Sequence, residues 1–276
     1  MTTGVGEMRI TPLSDGELWI PPEALLSKTA DAWPPGYLND EGLMGVNFGG
    51  FLVRTPQAIV VIDTGIGGGA IPELPIGSFP ERLSDAGVTP ADVDIVILTH
   101  LHFDHVGWST DGTTPMFTHA AHHAHAIDWA YYYGPDPHPE TGPGREEFGA
   151  IPAPERLAPL ADTITLHESE RTEIAPGVTL RLAPGHTPGH CIVELASGGE
   201  RAVLLADVAH KPPQLLSDDW TCVADVDPAL AQRTRAALAH ELADSGTLVT
   251  MTHDAGNVFG RLQTVNGARE WVRAEA

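Results

Sequence analysis

Short blocks of apolar residues, separated by turns, predict β-strands along the first part of the chain. Residues 45–54 and 58–63 are two such blocks, joined by a turn around Pro56, and they predict a β-hairpin. The second block runs into a glycine-rich loop at 63–69. A third apolar block, 94–99, predicts a buried strand that leads directly into a cluster of polar residues.

The second half of the chain alternates further apolar blocks with helical patterns. Strands are predicted at 163–167, 178–183, 191–195, 202–206 and 247–252. A short helix is predicted over 79–86, and a longer one over 228–242, where Asp227 is the expected N-cap. Strands that alternate with single helices predict an α/β fold, here an αββα sandwich of two mixed β-sheets flanked by helices.

Two proline-rich stretches, 21–44 and 134–159, predict long loops. Trp33 and Tyr37 in the first stretch favour a lid, because functional residues are often carried on loops. Four further histidines are predicted to lie in a helix and to have a structural role: His119, His122, His123 and His125. His138 is expected to be a surface residue of the second loop.

Length and composition indicate a single domain over residues 1–276. The chain has 42% hydrophobic residues, which is enough to bury a full core. No apolar stretch reaches the roughly 18 residues of a transmembrane helix, and residues 1–17 lack the basic start and apolar run of a signal peptide. Cys191 and Cys222 are too few for a disulfide framework, so reduced thiols in a cytoplasmic protein are expected.

The formal charge is −22, from 37 acidic and 15 basic residues. Such a surface repels phosphate backbones and anionic membranes, which argues against nucleic acid and membrane partners. A small-molecule substrate is therefore the expected partner, and a homodimer is left open.

The decisive chemistry follows the strand at 94–99. His100, His102, Asp104 and His105 fall within six residues. In an extended segment alternate side chains point the same way, so His100 and His102 can bind one ion together. The chain then turns into a helix, which can direct Asp104 and His105 toward a second ion. A chance run of histidines is a weak alternative, because a buried strand that ends in four polar residues needs a reason.

Three more residues end apolar blocks in the same way. His186 lies in a turn fixed by Gly185 and Pro188, Asp207 follows the block 202–206, and His253 follows 247–252. Each of them alone would more often be an ordinary surface residue. Together with the first cluster, they predict one site at a single edge of the two sheets.

This order of motifs resembles the metallo-β-lactamase superfamily, with a His-x-His-x-Asp-His run, a Gly-His-Thr turn, an Asp and a final His over about residues 45–253. The resemblance implies two divalent ions, expected to be zinc, with Mn²⁺, Fe²⁺ and Co²⁺ left open. It implies three ligands for one ion, three for the other and one bridging carboxylate: His100, His102 and His186; Asp104, His105 and His253; and Asp207. Asp63 resembles the aspartate that orients a ligand in this family.

The resemblance narrows the reaction without naming the substrate. Asp207 stands where one group of true β-lactamases has a cysteine, and the acidic surface argues against RNA-processing nucleases. The run at 100–108 is most similar to N-acyl-homoserine lactonases and their methyl-parathion-hydrolase-like relatives. One residue departs from the lactonases, which commonly have a tyrosine where this chain has His210.

The expected activity is therefore hydrolysis of a small ester or lactone by a hydroxide that bridges the two metals. Asp104 is the expected proton carrier, and His210 is expected to stabilise the oxyanion. Thioesterase (glyoxalase II-like) and phosphotriesterase activities are the alternatives, and a non-enzymatic metal-binding sensor is less favoured. An apolar substrate pocket is expected to involve a set of aromatic residues: Trp33, Phe103, Trp108 and Tyr131–Tyr133.

Overall fold

The computed structural model describes residues 2–68, 75–138, 148–255 and 259–274. Gly69 of the predicted glycine-rich loop and residues 139–147 of the predicted loop 134–159 lie outside this set. No helix in the described part is both long and apolar enough to cross a bilayer.

Seven strands form the first sheet, and they lie side by side in chain order. They are β1 (Thr3–Val5), β2 (Met8–Ile20), β3 (Met44–Arg54), β4 (Ile59–Ile62), β5 (Ile95–Ile97), β6 (Ala121–His125) and β7 (Thr165–His167). Neighbours from β1 to β4 are antiparallel, and those from β4 to β7 are parallel. The predicted hairpin is confirmed as β3 and β4.

Seven further strands form the second sheet, again in chain order. They are β8 (Arg171–Ala175), β9 (Val178–Leu182), β10 (Cys191–Ser197), β11 (Glu200–Leu204), β12 (Leu248–Thr250), β13 (Gly260–Val265) and β14 (Ala268–Arg273). Their pairing is antiparallel except between β11 and β12, which are parallel. Both sheets are therefore mixed, as the sequence predicts.

Helices cover the outer face of each sheet. They are α1 (Phe79–Asp85), α2 (Phe103–Val106), α3 (Ala126–Tyr133), α4 (Ala153–Leu157), α5 (Pro213–Leu216) and α6 (Pro228–Leu242). Leu83 of α1 and Leu157 of α4 pack on the outer face of the first sheet, and Leu238 of α6 packs on that of the second. Val60 and Val193 belong to the core between the two sheets. This layering confirms the αββα sandwich.

The start of α6 follows from its sequence. Asp227 accepts a hydrogen bond from the Leu230 backbone N–H at 2.9 Å, and Pro228 occupies the first turn, where no backbone donor is needed. The predicted cap is thus confirmed. Arg235 lies fully buried in the same helix, where its guanidinium donates to the carbonyl groups of Val208 and Trp220.

The histidine run was the largest error of the sequence-based assignment. His122, His123 and His125 lie in strand β6, and helix α3 begins only at Ala126. Pairing of β6 between β5 and β7 supplies backbone hydrogen bonds on both sides, which outweighs local helix preference. The His125 side chain instead accepts the Ile127 backbone N–H and so caps α3.

Besides β6, five strands have no counterpart in the sequence-based prediction: β1, β2, β8, β13 and β14. In β2, the polar residues Ser14 and Asp15 and the glycine Gly16 interrupt the apolar pattern, and the register shifts between Ser14 and Gly16.

The predicted metal ligands follow the ends of strands. The chain segments that leave β5, β9, β11 and β12 carry all seven predicted ligands, in the ranges 100–105, 186, 207 and 253.

Candidate metal centre

Three buried histidines form the first group of ligand atoms. The Nδ1 atom of His102 lies 3.1 Å from Nε2 of His100 and 3.0 Å from Nε2 of His186. In a tetrahedral zinc site with metal–nitrogen bonds of about 2.0–2.1 Å, ligand atoms lie about 3.3 Å apart. The observed spacing is thus close to what one ion requires, and His100, His102 and His186 could bind it together.

A second group lies beside the first. His105 Nε2 is 3.3 Å from His253 Nε2. Asp104 Oδ2 is 3.6 Å from the same His253 nitrogen and 3.9 Å from His105 Nε2. Asp104 and His105 both belong to α2, which turns their side chains to one side immediately after the extended segment that carries His100 and His102.

The carboxylate of Asp207 lies between the two groups. Its Oδ1 is 3.3 Å from His105 Nε2, and its Oδ2 is 3.1 Å from His253 Nε2 and 3.3 Å from His186 Nε2. Asp207 therefore contacts ligand atoms of both groups, as a bridging carboxylate would. It belongs to a single 3₁₀ turn, Ala206–Val208, that directly follows β11.

Hydrogen bonds on the far side of three imidazoles fix which nitrogen faces the centre. Nδ1 of His105 donates to Asp63 at 2.9 Å, Nδ1 of His186 donates to Asp225 at 3.0 Å, and Nδ1 of His253 donates to the Asn47 carbonyl at 2.8 Å. Because a carboxylate or carbonyl oxygen only accepts, the proton is on Nδ1, and the Nε2 lone pair is directed inward.

Asp63 was predicted for this role, whereas Asp225 and Asn47 were not. Asp63 adopts a left-handed backbone conformation, with φ of 57°, and also accepts the backbone N–H and the hydroxyl of Thr99. Asp225 and Asn47 lie far from the ligand motifs along the chain. Only the folded structure brings them to the histidines, so local sequence held no signal for them.

Burial and neighbouring charge divide the imidazoles into two kinds. Burial lowers the pKa of His102 and of His186 to about 3, so both are neutral at pH 7, the form that binds metal. Burial also opposes a charge on His105, but Asp207, Asp63 and Asp104 raise its pKa well above the usual value. Three carboxylates facing one buried imidazole create a site for positive charge.

His210 lies at the same centre. Its Nε2 is 3.2 Å from Asp207 Oδ2 and 3.7 Å from Cys222 Sγ, and its ring stacks on His253 with centroids 5.2 Å apart. These distances place His210 Nε2 among the candidate ligand atoms, whereas the sequence predicted only a role in stabilising the oxyanion. His190 also lies beside the centre, where its Nε2 accepts the Asp207 backbone N–H at 3.1 Å.

An apolar pocket of about 220 Å³ opens above these residues. Its floor is formed by six polar residues: His102, Asp104, His186, Asp207, His210 and His253. Its walls are apolar: Leu18, Ile20, Ala24, Leu25, Val46, Phe48, Phe103, Phe148 and Ala224. Leu18 and Ile20 belong to β2, and Ala24 and Leu25 belong to the predicted lid at 21–44.

Of the aromatic residues predicted for the pocket, Phe103 lies on its wall and the others lie elsewhere. Trp33 packs edge-on against Trp220, with centroids 4.9 Å apart. The indole N–H of Trp108 donates to Asp15 at 2.9 Å. Tyr132 lies behind the site, with its ring 5.8 Å from that of His102. The prediction that Trp33, Trp108 and the Tyr131–Tyr133 run form the pocket was therefore wrong, because none of these rings lines it.

The chain is similar in sequence to two curated proteins that are named as N-acyl homoserine lactonases. N-acyl homoserine lactonase AiiA from Bacillus thuringiensis subsp. kurstaki is 24% identical over 227 residues, which cover 74% of this chain and 80% of that protein. N-acyl homoserine lactonase AiiB from Agrobacterium fabrum is 31% identical over 114 residues, 41% of this chain and 38% of the relative.

Solved structures show the same fold. The hydrolase AbOPH of the beta lactamase superfamily superposes with a TM-score of 0.83 at 23% identity, covering 100% of this chain and 97% of that one. The dizinc quorum-quenching lactonase AidC superposes with a TM-score of 0.80 at 21% identity, with the same coverage. Residues 50–253 match the family model of the metallo-beta-lactamase superfamily. Since this match spans most of the sequence and includes every candidate ligand, the chain belongs to the metallo-beta-lactamase superfamily.

Proposed function

We propose that this protein is a metal-dependent hydrolase that cleaves a small ester or lactone, with N-acyl-homoserine lactones as the first substrates to test. The observation that carries the proposal is the position of Asp207, whose two oxygens contact both groups of ligand atoms at the floor of an apolar pocket. Relatives named as lactonases support the choice of bond.

Two divalent ions, zinc in the first instance, fit the residues at this floor. The donor set is imidazole nitrogen with carboxylate oxygen, which suits zinc and its divalent neighbours. One ion would be held by His100, His102 and His186, the other by Asp104, His105 and His253, with Asp207 shared. When bound, such a pair supplies a water activated at neutral pH and polarises the substrate's carbonyl oxygen.

The pocket walls favour an uncharged substrate with an apolar part. No Lys or Arg lines this pocket in the part of the chain that the structure describes. An anionic substrate, such as a thioester of an acidic peptide, would lose hydration against the apolar walls without a basic side chain to pair with its charge. The apolar walls would instead bury an acyl or aryl group while the scissile bond lies against the floor.

Two residues of the floor are placed to handle charge and protons. Asp104 lines the pocket and its side chain is 13% exposed, so its carboxylate can hold a proton and pass it to a leaving oxygen. His210 also lines the pocket, and we assign its Nε2–H as a donor to the oxygen that gains negative charge.

A hydrolysis screen tests this function. Zinc-, manganese- and cobalt-loaded protein should be assayed on lactones of increasing acyl length, aryl esters, thioesters and phosphotriesters, with metal-free protein as the control. We expect the highest kcat/KM on lactones or esters with an apolar chain. Fastest turnover of phosphotriesters or thioesters would replace the substrate assignment. A protein that binds two ions yet hydrolyses none of these classes would support a metal-binding sensor.

A further inference from the structure

Asp128 is a buried carboxylate outside the ligand set that joins two ligand-bearing loops. It lies in α3, and it accepts the Leu101 backbone N–H at 3.1 Å, between His100 and His102. It also accepts the Thr187 hydroxyl at 2.8 Å and the Gly189 backbone N–H at 2.6 Å, on the loop that carries His186. These three hydrogen bonds connect the segments that hold the first ion's ligands.

Gly189 shows how closely the two segments approach. A Cβ atom at this position would lie 2.4 Å from the Asp128 backbone nitrogen and 2.9 Å from its Oδ1. Only glycine therefore allows the loop after His186 to contact α3. Thr187 Oγ1 and the Gly189 N–H then converge on one carboxylate, which fixes the loop on both sides of Pro188.

Asp15 has an equivalent arrangement on the other half of the centre. This fully buried residue of β2 accepts the Ile66 and Gly67 backbone N–H groups at 2.9 and 3.1 Å, just after Asp63. It also accepts the indole N–H of Trp108 at 2.9 Å, three residues after His105. In addition it accepts the Phe79 backbone N–H at 2.8 Å, at the start of α1.

The segment held by Asp15 contacts α2 directly. The Thr64 backbone N–H donates to the His105 carbonyl at 2.7 Å, and the Gly107 N–H donates to the Gly65 carbonyl at 2.7 Å. Loop 63–67 and α2 therefore form one hydrogen-bonded unit. Asp63 holds the His105 ring from this loop, so the unit determines where Asp104 and His105 point.

We propose that Asp128 and Asp15 are positioning residues with separate targets: Asp128 holds the ligands His100, His102 and His186, and Asp15 holds the ligands Asp104 and His105. This inference rests on the proposed metal pair. Asp128 accepts three hydrogen bonds and Asp15 four from the segments that they join, and neither belongs to the ligand set. Their loss should therefore weaken binding of one ion selectively, by about tenfold or more, as for other residues that orient metal ligands.

The test measures Zn²⁺ affinity in proteins that retain one site. His253→Ala leaves the group of His100, His102 and His186, and His102→Ala leaves the group of Asp104, His105 and His253. Asp128→Asn or Asp15→Asn is added to each, and Zn²⁺ is titrated against a chromophoric chelator. We expect Asp128→Asn to lower affinity at least tenfold in the His253→Ala protein and less than threefold in the His102→Ala protein. Asp15→Asn should give the reverse.

Each aspartate variant is the matched control for the other, since both replace one oxygen of a buried carboxylate by an NH₂ group facing donors. Thermal unfolding of the metal-free proteins measures any general loss of stability. If an Asn variant does not fold, two milder substitutions replace it: Thr187→Val on the first side and Trp108→Phe on the second. Each of them removes one hydrogen bond to the carboxylate, and the same selectivity is expected with smaller losses.

Two results would overturn the inference: zinc affinities within twofold of the parent proteins, or equal losses at both sites. A change in unfolding temperature without a site-selective change in affinity would count against it as well. If the unmutated protein binds no zinc at all, the proposed metal centre itself is wrong. If that protein binds two ions and the variants show no selectivity, only the positioning role is lost.

Discussion

The floor and the walls of the pocket are built in different ways. The floor consists of polar side chains placed at strand ends, and far-side hydrogen bonds fix the orientation of three imidazoles at this centre, those of His105, His186 and His253. The walls are formed by residues of β2 and of the loop at 21–44, together with Phe48 of β3 and Phe148. The side chains that line the walls are apolar.

This difference separates reaction from selectivity. A floor fixed by directional bonds keeps ligand atoms about 3 Å apart, so changes there should alter the rate of the chemical step. The apolar side chains of the walls can be exchanged with little effect on the floor. Substitutions there should therefore alter which substrate binds. Members of one fold family can differ in substrate in this way while sharing a centre.

The largest effect should follow loss of a candidate metal ligand beneath or at the floor. Purified protein is expected to contain close to two transition-metal ions per chain, and removal by a chelator should abolish hydrolysis, with recovery on adding zinc. His105→Ala should reduce the content to about one ion, because His105 belongs to the second group and contacts Asp207. Elemental analysis alongside kcat measures both.

At most one ion in the parent protein, with His105→Ala leaving the content unchanged, would contradict the binuclear centre. His119→Ala is a suitable control. This histidine is exposed and its ring lies near the Ala91 carbonyl, away from the centre. Its replacement should leave both metal content and kcat unchanged.

The second effect concerns His210, which is part of the pocket floor. If its Nε2–H donates to the developing oxyanion, His210→Ala should lower kcat about a hundredfold while KM changes little. Metal content must be measured in the same sample, because His210 Nε2 is as close to Asp207 as His253 Nε2 is. His210→Tyr, which restores the lactonase residue, should keep part of the activity.

A His210→Ala enzyme with two ions and parental kcat on its best substrate would refute the donor role. A variant that loses one ion would instead identify His210 as a ligand. In that case the second group has one donor more than the family resemblance implies. Either result shows whether His210 acts on the substrate or on the metal.

The floor could be predicted from sequence to a degree that the walls could not. His100 to His105 lie together after one apolar strand, and His186, Asp207 and His253 each end or closely follow another, so hydrophobic pattern alone placed them at one sheet edge. Strand order was not needed for that step. The orienting residues Asn47 and Asp225 depend on contacts across the fold, which no local pattern records.

The walls depended on an element that the pattern did not predict. Leu18 and Ile20 belong to β2, whose apolar alternation is broken by Pro12, Asp15 and Gly16. Trp33 and Trp108 were predicted to line the pocket because they are aromatic. In the structure, Trp33 packs against Trp220 and Trp108 donates to Asp15, and neither lines the pocket. Aromatic character indicates burial in general, whereas lining a pocket depends on tertiary placement.

The smallest effect, and the sharpest contrast with the floor, should come from the walls. Ile20 of β2 lines the pocket, and it belongs to none of the groups of candidate ligands. Ile20→Ala removes three carbon atoms from the wall, and each buried CH₂ contributes about 0.8 kcal/mol, so about 2 kcal/mol is the upper bound for lost contact with a long acyl chain. We expect KM to rise about tenfold for a long-chain substrate and to change less than twofold for a short-chain one. Because the floor is untouched, kcat should stay within twofold of the parent value.

Val272→Ala is the matched control, since Val272 is a β-branched strand residue, 41% exposed and outside the pocket lining. Steady-state kinetics over a series of acyl lengths measures both constants. A loss in kcat that is equal for short and long chains would show that the Ile20 side chain itself supports the floor, and the division between reaction and selectivity would then be wrong.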